Sequence, residues 1–157
     1  MSHGRTGAHA KGKHSSARKD FDNFVRGYID AALWSSHDES DEGGGGEPMD
    51  RNYSRSDIAS SSLKSMKRDC ARFMKKNRAA LTQYATHRVH RSSEGTAMDF
   101  AGHDFWLTRN GHGTGFWDRD YGGHDEIGEK LTEASKKFGT SDMYVGDDGE
   151  IYVSPEK

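Results

Sequence analysis

Phe21, Phe24, Val25, Tyr28, Ile29 and Ala32 recur at intervals of three and four residues, which places them on one face of a helix over residues 20–35. Gly27 lowers the helical propensity of that segment without breaking its period, and Leu33 and Trp34 extend the apolar face at its end. A clearer period runs over residues 56–84. Leu63, Met66, Cys70, Phe73, Met74, Leu81 and Tyr84 gather in about a third of the circumference at roughly 100° per residue, and Ser56 or Asp57 serves as N-cap. Ile127, Leu131, Ala134 and Phe138 set a third helix over residues 125–138. Lys136 and Lys137 suit its last turn and Gly139 its stop.

Two stretches read as extended. Met143-Tyr144-Val145 and Ile151-Tyr152-Val153 alternate about Gly146-Asp147-Asp148-Gly149, a hairpin signal. The densest apolar stretch is Gly102 to Asp120, where the pairs Phe105-Trp106 and Phe116-Trp117 flank a glycine-rich centre. Asn110-Gly111 is a type I′ turn signal and predicts a second hairpin with Leu107 facing Thr114 and Phe105 facing Phe116, leaving Gly113 and Gly115 as a bare strand edge. A wider loop from Asn110 to Gly115, with His112 at its tip, satisfies the same pattern. The order α-α-β-β-α-β-β predicts an α+β fold: a small antiparallel sheet of two β-hairpins packed against about three helices.

Three stretches carry no period. Residues 1–19 are rich in Gly, Ser, His and Lys, bury nothing, and read as a disordered basic arm. Residues 36–54 read as a mobile acidic loop, punctuated by four glycines and Pro48. Residues 85–98 read as a loop. The remaining expectation is one domain over residues 20–157.

Composition sharpens this picture. The formal net charge of −2 over 157 residues hides a segregation. Residues 37–50 hold six acids and no Lys or Arg, residues 51–91 hold eleven Lys/Arg against Asp57 and Asp69, and residues 92–157 hold fourteen acids against six bases. The one cysteine, Cys70, lies on the apolar stripe and reads as a core residue; it excludes an intramolecular disulfide. Nothing approaches 18 consecutive apolar residues, and the basic N-terminus lacks an apolar h-region. The expectation is a cytoplasmic protein with neither membrane span nor secretory signal.

The charge pattern supplies the first functional candidate. Lys64, Lys67, Arg68, Arg72, Lys75, Lys76 and Arg78 fill the side of the second helix opposite its apolar stripe, a candidate phosphate-binding face for DNA or RNA. The arm at residues 1–19 is its candidate extension, and His87, Arg88, His90 and Arg91 add to the same basic side. An ordinary solvated helix face and a solubilising tail fit the same residues. Arg109, Asn110 and His112 at the expected hairpin turn are candidates for contact with a partner, either nucleic acid or a host or defence protein.

The competing candidate is catalytic. His103, Asp104, His112, Asp118, Asp120 and His124 are metal-capable and close in sequence. H-E-x-x-H, Cys/His zinc spacing and G-x-S-x-G are all absent from the chain, and the acidic loop lacks the EF-hand order. The catalytic alternative is a metal-assisted hydrolase or nuclease using His103, Asp104 and His112, with His112 beside Arg109 placed for acid–base work on a phosphate ester. No cofactor is implied, and the oligomeric state is left open.

The run from Gly102 to Arg119, the helix after it and the hairpin from Tyr144 to Tyr152 resemble a family of small uncharacterised proteins of tailed bacteriophages and prophages, whose usual pattern is GHDFWLTRNGHGAGFWDR with a YVGDDGKIY-like hairpin. Ala31-Ala32-Leu33-Trp34, Asp38-Glu39-Ser40-Asp41-Glu42 and Asn52-Tyr53-Ser54 are similar too, so the resemblance covers roughly residues 20–153. The basic extension at residues 1–19 and Thr114 in place of the commoner Ala depart from it. The resemblance implies a setting, the cytoplasm of an infected bacterium, and no reaction. It fits a small phage accessory protein acting by binding better than a structural protein of the virion, for which low apolar content and absent repeats give little support.

Overall fold

Two glycines decide how two of the helices meet. In the computed structural model, which describes residues 3–39, 46–89, 95–113 and 115–155 (residues 3–15 by backbone alone), helix α1 (His3–Ser35) crosses helix α4 (Ala97–Arg109) with main chain against main chain. A methyl group at Gly27 would run into the carbonyl oxygen of Asp99, and one at Gly102 into that of Phe24. The glycine that weakens α1 as an isolated helix is therefore what lets α4 seat on it.

Between these two come strand β1 (His37–Asp38), strand β2 (Glu47–Pro48), helix α2 (Ser60–Lys76) and helix α3 (Arg78–His87); after them come helix α5 (Glu126–Lys136) and strands β3 (Asp142–Val145) and β4 (Ile151–Ser154). Short 3-10 turns lie at Met49–Arg51, Arg55–Asp57 and Phe116–Asp118. Helices α1, α2 and α4 meet in an aromatic core. Phe73 stacks on Phe105 with centroids 4.1 Å apart, Phe24 and Phe116 flank Phe73, and Tyr28 meets Trp106 edge-on at 5.2 Å. Ile127 and Leu131 of α5, with Met143, Ile151 and Val153 of the β3–β4 pair, complete the core.

The mixed helix-and-strand class stands, with five α-helices rather than about three among the described residues. The expected single sheet of two hairpins does not. The terminal hairpin forms as read, with Tyr144 opposite Tyr152 and Val145 opposite Ile151. It pairs with no second hairpin: β1 and β2 make a separate two-stranded ladder, and the edge of β4 is met by Ile58 and Ala59, whose amide donates to the Ile151 carbonyl at 2.8 Å.

The expected central hairpin is a correction. Its first strand is helix α4, opened by a capping box in which Thr96 and Asp99 bond each other's backbone amides. Met98, Ala101, Gly102 and every residue from Asp104 to Arg109 are buried, so the segment shows neither a helical stripe nor a strand alternation. Asn110-Gly111 ends this helix instead of turning a hairpin. The Asn110 side-chain amide donates to the Trp106 carbonyl at 3.0 Å, and Gly111, at φ +73°, lets the His112 amide reach the Leu107 carbonyl at 2.9 Å. The bare edge expected at Gly113 and Gly115 is absent as well, since Gly115 is buried against the Thr108 side chain.

The helix expected over residues 56–84 is two. Asn77 leaves the helical region and turns its amide back on the Phe73 carbonyl at 2.9 Å, so α2 ends and α3 begins there. The third expected helix is α5, and α3 continues to His87 inside the expected 85–98 loop. The β1–β2 ladder closes the base of the expected acidic loop at 36–54, where Met49 is buried; residues 40–45 lie outside the described residues. Helix α1 is bounded at His3 and so takes in most of the expected arm at residues 1–19, in which the side chains from Ser16 to Lys19 are exposed.

Candidate functional site

Helix α2 sorts its charges by face. Lys64, Arg68, Arg72, Lys75 and Lys76 are exposed and Lys67 is half-buried. Lys64, Arg68, Arg72 and Lys75 span an arc of about 80° at roughly 100° per residue. Asp69, the one acid of the helix, points the other way and receives Arg109 Nη1 at 2.9 Å. The outward stripe therefore has no acid of its own helix to offset it. Arg72 lies over the Phe138 ring, 5.9 Å from its centroid, which brings the exposed Lys136 and Lys137 next to the same patch. Exposed Arg78 continues it onto α3.

The three residues expected at the hairpin turn separate. Arg109 is a correction: it is 4% exposed and lies inside the fold. Nη1 donates to the Tyr28 hydroxyl and to Asp69, Nη2 to the Phe138 carbonyl at 3.0 Å and Nε to the Gly139 carbonyl at 2.8 Å. Burial opposes its charge, but Tyr28 and Asp69 outweigh burial and hold the guanidinium above its ordinary pKa. Asn110 spends both ends of its amide, the oxygen accepting the Ser141 amide at 2.7 Å. His112 alone is exposed.

The catalytic trio also separates. His103 Nδ1 lies 3.4 Å from Asp104 Oδ1, but Asp104 is fully buried and already held by Arg119 Nη2 at 2.7 Å and by the Tyr84 hydroxyl at 2.9 Å. About 9 Å of helix rise separates His103 from Arg109, and His112 lies beyond that end. Among the described residues, no group of three or more His, Cys, Asp or Glu side chains is placed to hold a metal ion. His124 instead stacks on His87 at 4.0 Å. Burial pushes the Cys70 thiol up, as fits the core role read from its position.

A site that sequence reasoning missed lies where α1 and α4 cross. Asp30, Leu33, Trp34, Asp50 and His103 line a cleft of about 310 Å³. Next to it, and sharing Asp30 and His103, is a second cleft of about 360 Å³ edged by Phe100, Arg88 and Arg119. Trp34 was expected to extend the apolar face; it is 53% exposed, its indole tilted over the His103 ring at 6.1 Å. The one signal in the sequence was Asp30 four residues before a terminal tryptophan, on the same helical face. Partial burial pushes the Asp30 carboxyl above its ordinary pKa, against the pull of Arg26.

No protein-family model, curated protein or solved structure matches the chain. No helix among the described residues is long and apolar enough to cross a membrane.

Proposed function

We propose that the protein is a non-catalytic binding module that docks on nucleic acid through the outward face of α2. The observation that carries this reading is the disposition of Asp69. By turning inward to Arg109, the helix's only acid leaves the outward face of α2 to the bases Lys64, Arg68, Arg72 and Lys75. Such a stripe neutralises phosphates and releases counterions whatever the base sequence. Arg78, Lys136 and Lys137 widen it, and Arg5, Lys11, Lys13, Arg18 and Lys19 of the N-terminal stretch supply further bases. The resemblance to phage proteins gives the setting, a small accessory protein in the cytoplasm of an infected bacterium. A host or defence protein with an acidic surface is the alternative partner of the same face.

The hydrolase reading draws on the contact of His103 with Asp104 and on nothing that adds His112 to them. The test is binding to labelled double- and single-stranded DNA and to RNA at low salt, with Lys64, Arg68, Lys75 and Lys76 reversed to Glu. The expected result is salt-sensitive binding that the fourfold variant loses while its circular dichroism is unchanged. No binding at low salt, or undiminished binding by the variant, overturns the reading.

A further inference from the structure

The cleft at the end of α1 carries a second proposal, independent of the basic face. We infer that it binds an organic cation, a guanidinium or ammonium group on an alkyl stem, held between the carboxylates of Asp30 and Asp50 and the exposed face of Trp34. Asp30 and Asp50 have neither a hydrogen-bond nor an ion-pair partner among the described residues, so both are available to a ligand. Trp34 presents the aromatic surface on which cations bind best, and it is one of four large apolar side chains left exposed among the described residues. Leu33 gives the stem an apolar wall, and the His103 ring, which also lines the cleft, lies tilted against the indole at 6.1 Å.

The chemistry of the lining selects the charge of the ligand. The carboxylates of Asp30 and Asp50 disfavour phosphates and carboxylates in the cleft; Asp99 in the adjoining cleft is already paired with Arg26, and Arg26, Arg55 and His103 are the cationic or titratable groups that act on Asp30. Ligand pockets commonly run from about 300 to 1,000 Å³. The cleft, at about 310 Å³, has room for a head group with a short stem. Partial burial pushes the Asp30 carboxyl up against the pull of Arg26, and the nearby charge of Asp99 adds to the rise. A bound cation offsets both effects, so binding and ionisation of Asp30 reinforce each other. The cation comes either from a basic side chain of a protein or from a free polyamine.

The intrinsic fluorescence of Trp34 tests this in the full chain carrying Trp117→Phe, because the remaining indole, Trp106, is buried. The probes, at low salt and pH 7, are agmatine, spermidine, a blocked arginine-containing tripeptide and the same tripeptide with neutral citrulline. The expected result is a saturable response to the cations and none to the citrulline peptide. Asp30→Asn with Asp50→Asn lowers the affinity at least tenfold, whereas Asp147→Asn with Asp148→Asn, at the tip of the β3–β4 turn, leaves it unchanged. Affinity falls as the pH is lowered through the carboxylate range. A tighter peptide than agmatine marks a protein side chain as the source, and the reverse order marks a free amine; either supports the site. No saturable response, or equal losses from the two double variants, overturns it. The Glu variants of α2 retain cation binding, which keeps this outcome separate from that of the nucleic-acid reading.

Discussion

Arg109 carries its charge among Phe105, Phe138 and Tyr28, and all four of its receiving groups come from other parts of the chain. Removing it strands Asp69 together with the carbonyls of Phe138 and Gly139. Breaking a buried ion pair from one side costs about 3–5 kcal/mol. Arg109→Met is therefore expected to lower urea-unfolding stability by about that much. Arg109→Lys is expected to recover little, since an ammonium lacks the planar fork that reaches four acceptors. Adding Asp69→Asn to Arg109→Met is expected to return part of the loss by removing the stranded charge. Sequence could not have placed this residue. It follows the run Phe105-Trp106-Leu107-Thr108 and precedes an Asn-Gly pair, and that pair stops a helix as readily as it turns a hairpin. Asp99 gives a second test. Partial burial disfavours its ionisation, but bonds from Arg26 and Thr96 outweigh burial and hold the carboxyl below its ordinary pKa. Its stabilisation is thus present above the unfolded-state value and is lost as the pH falls through the folded one. The stability gap between wild type and Asp99→Asn, measured by urea unfolding, is expected to be full at pH 6 and to close on acidification.

Helices with one apolar face were legible as elements: α1, α2 and α5 follow from their three- and four-residue spacing. Helix α4 was not, because a helix buried on nearly every side has no polar face to set a period. What positions it is the crossing with α1, where the Gly27 and Gly102 backbones touch the partner helix. Both methyl additions would meet backbone, which cannot rotate away. Gly27→Ala is expected to raise the intrinsic propensity of α1 and still to destabilise the protein, by about 1–3 kcal/mol from overpacking. Gly102→Ala is expected to do the same. Thermal unfolding followed by circular dichroism reads the sign: a stabilised Gly27→Ala would mean that the helices do not cross in contact. The crossing also carries Asp30, Trp34 and His103 to one cleft, so loosening it is expected to weaken cation binding there.

At the scale of the molecule the described residues show one basic face on α2 and one cleft edged by carboxylates, and only the first was readable from the sequence. The α2 stripe was readable because its residues are neighbours on one helix. The cleft was not, because Asp30, Asp50 and His103 come from three distant segments that only the fold joins. The stripe makes a quantitative prediction. Each phosphate neutralised on duplex DNA contributes about 0.9 to the slope of log affinity against log salt, and about 0.7 on single strands. If Lys64, Arg68, Arg72 and Lys75 each meet one phosphate, the slope is expected near −3.6 on duplex by that rule, and shallower on single strands. Neutralising Arg68 and Lys75 to Gln is expected to take about 1.8 from the duplex slope while lowering affinity equally for unrelated sequences. An unchanged slope with reduced affinity would place the contacts off this face. A loss confined to one sequence would assign the two residues to base edges rather than to the backbone.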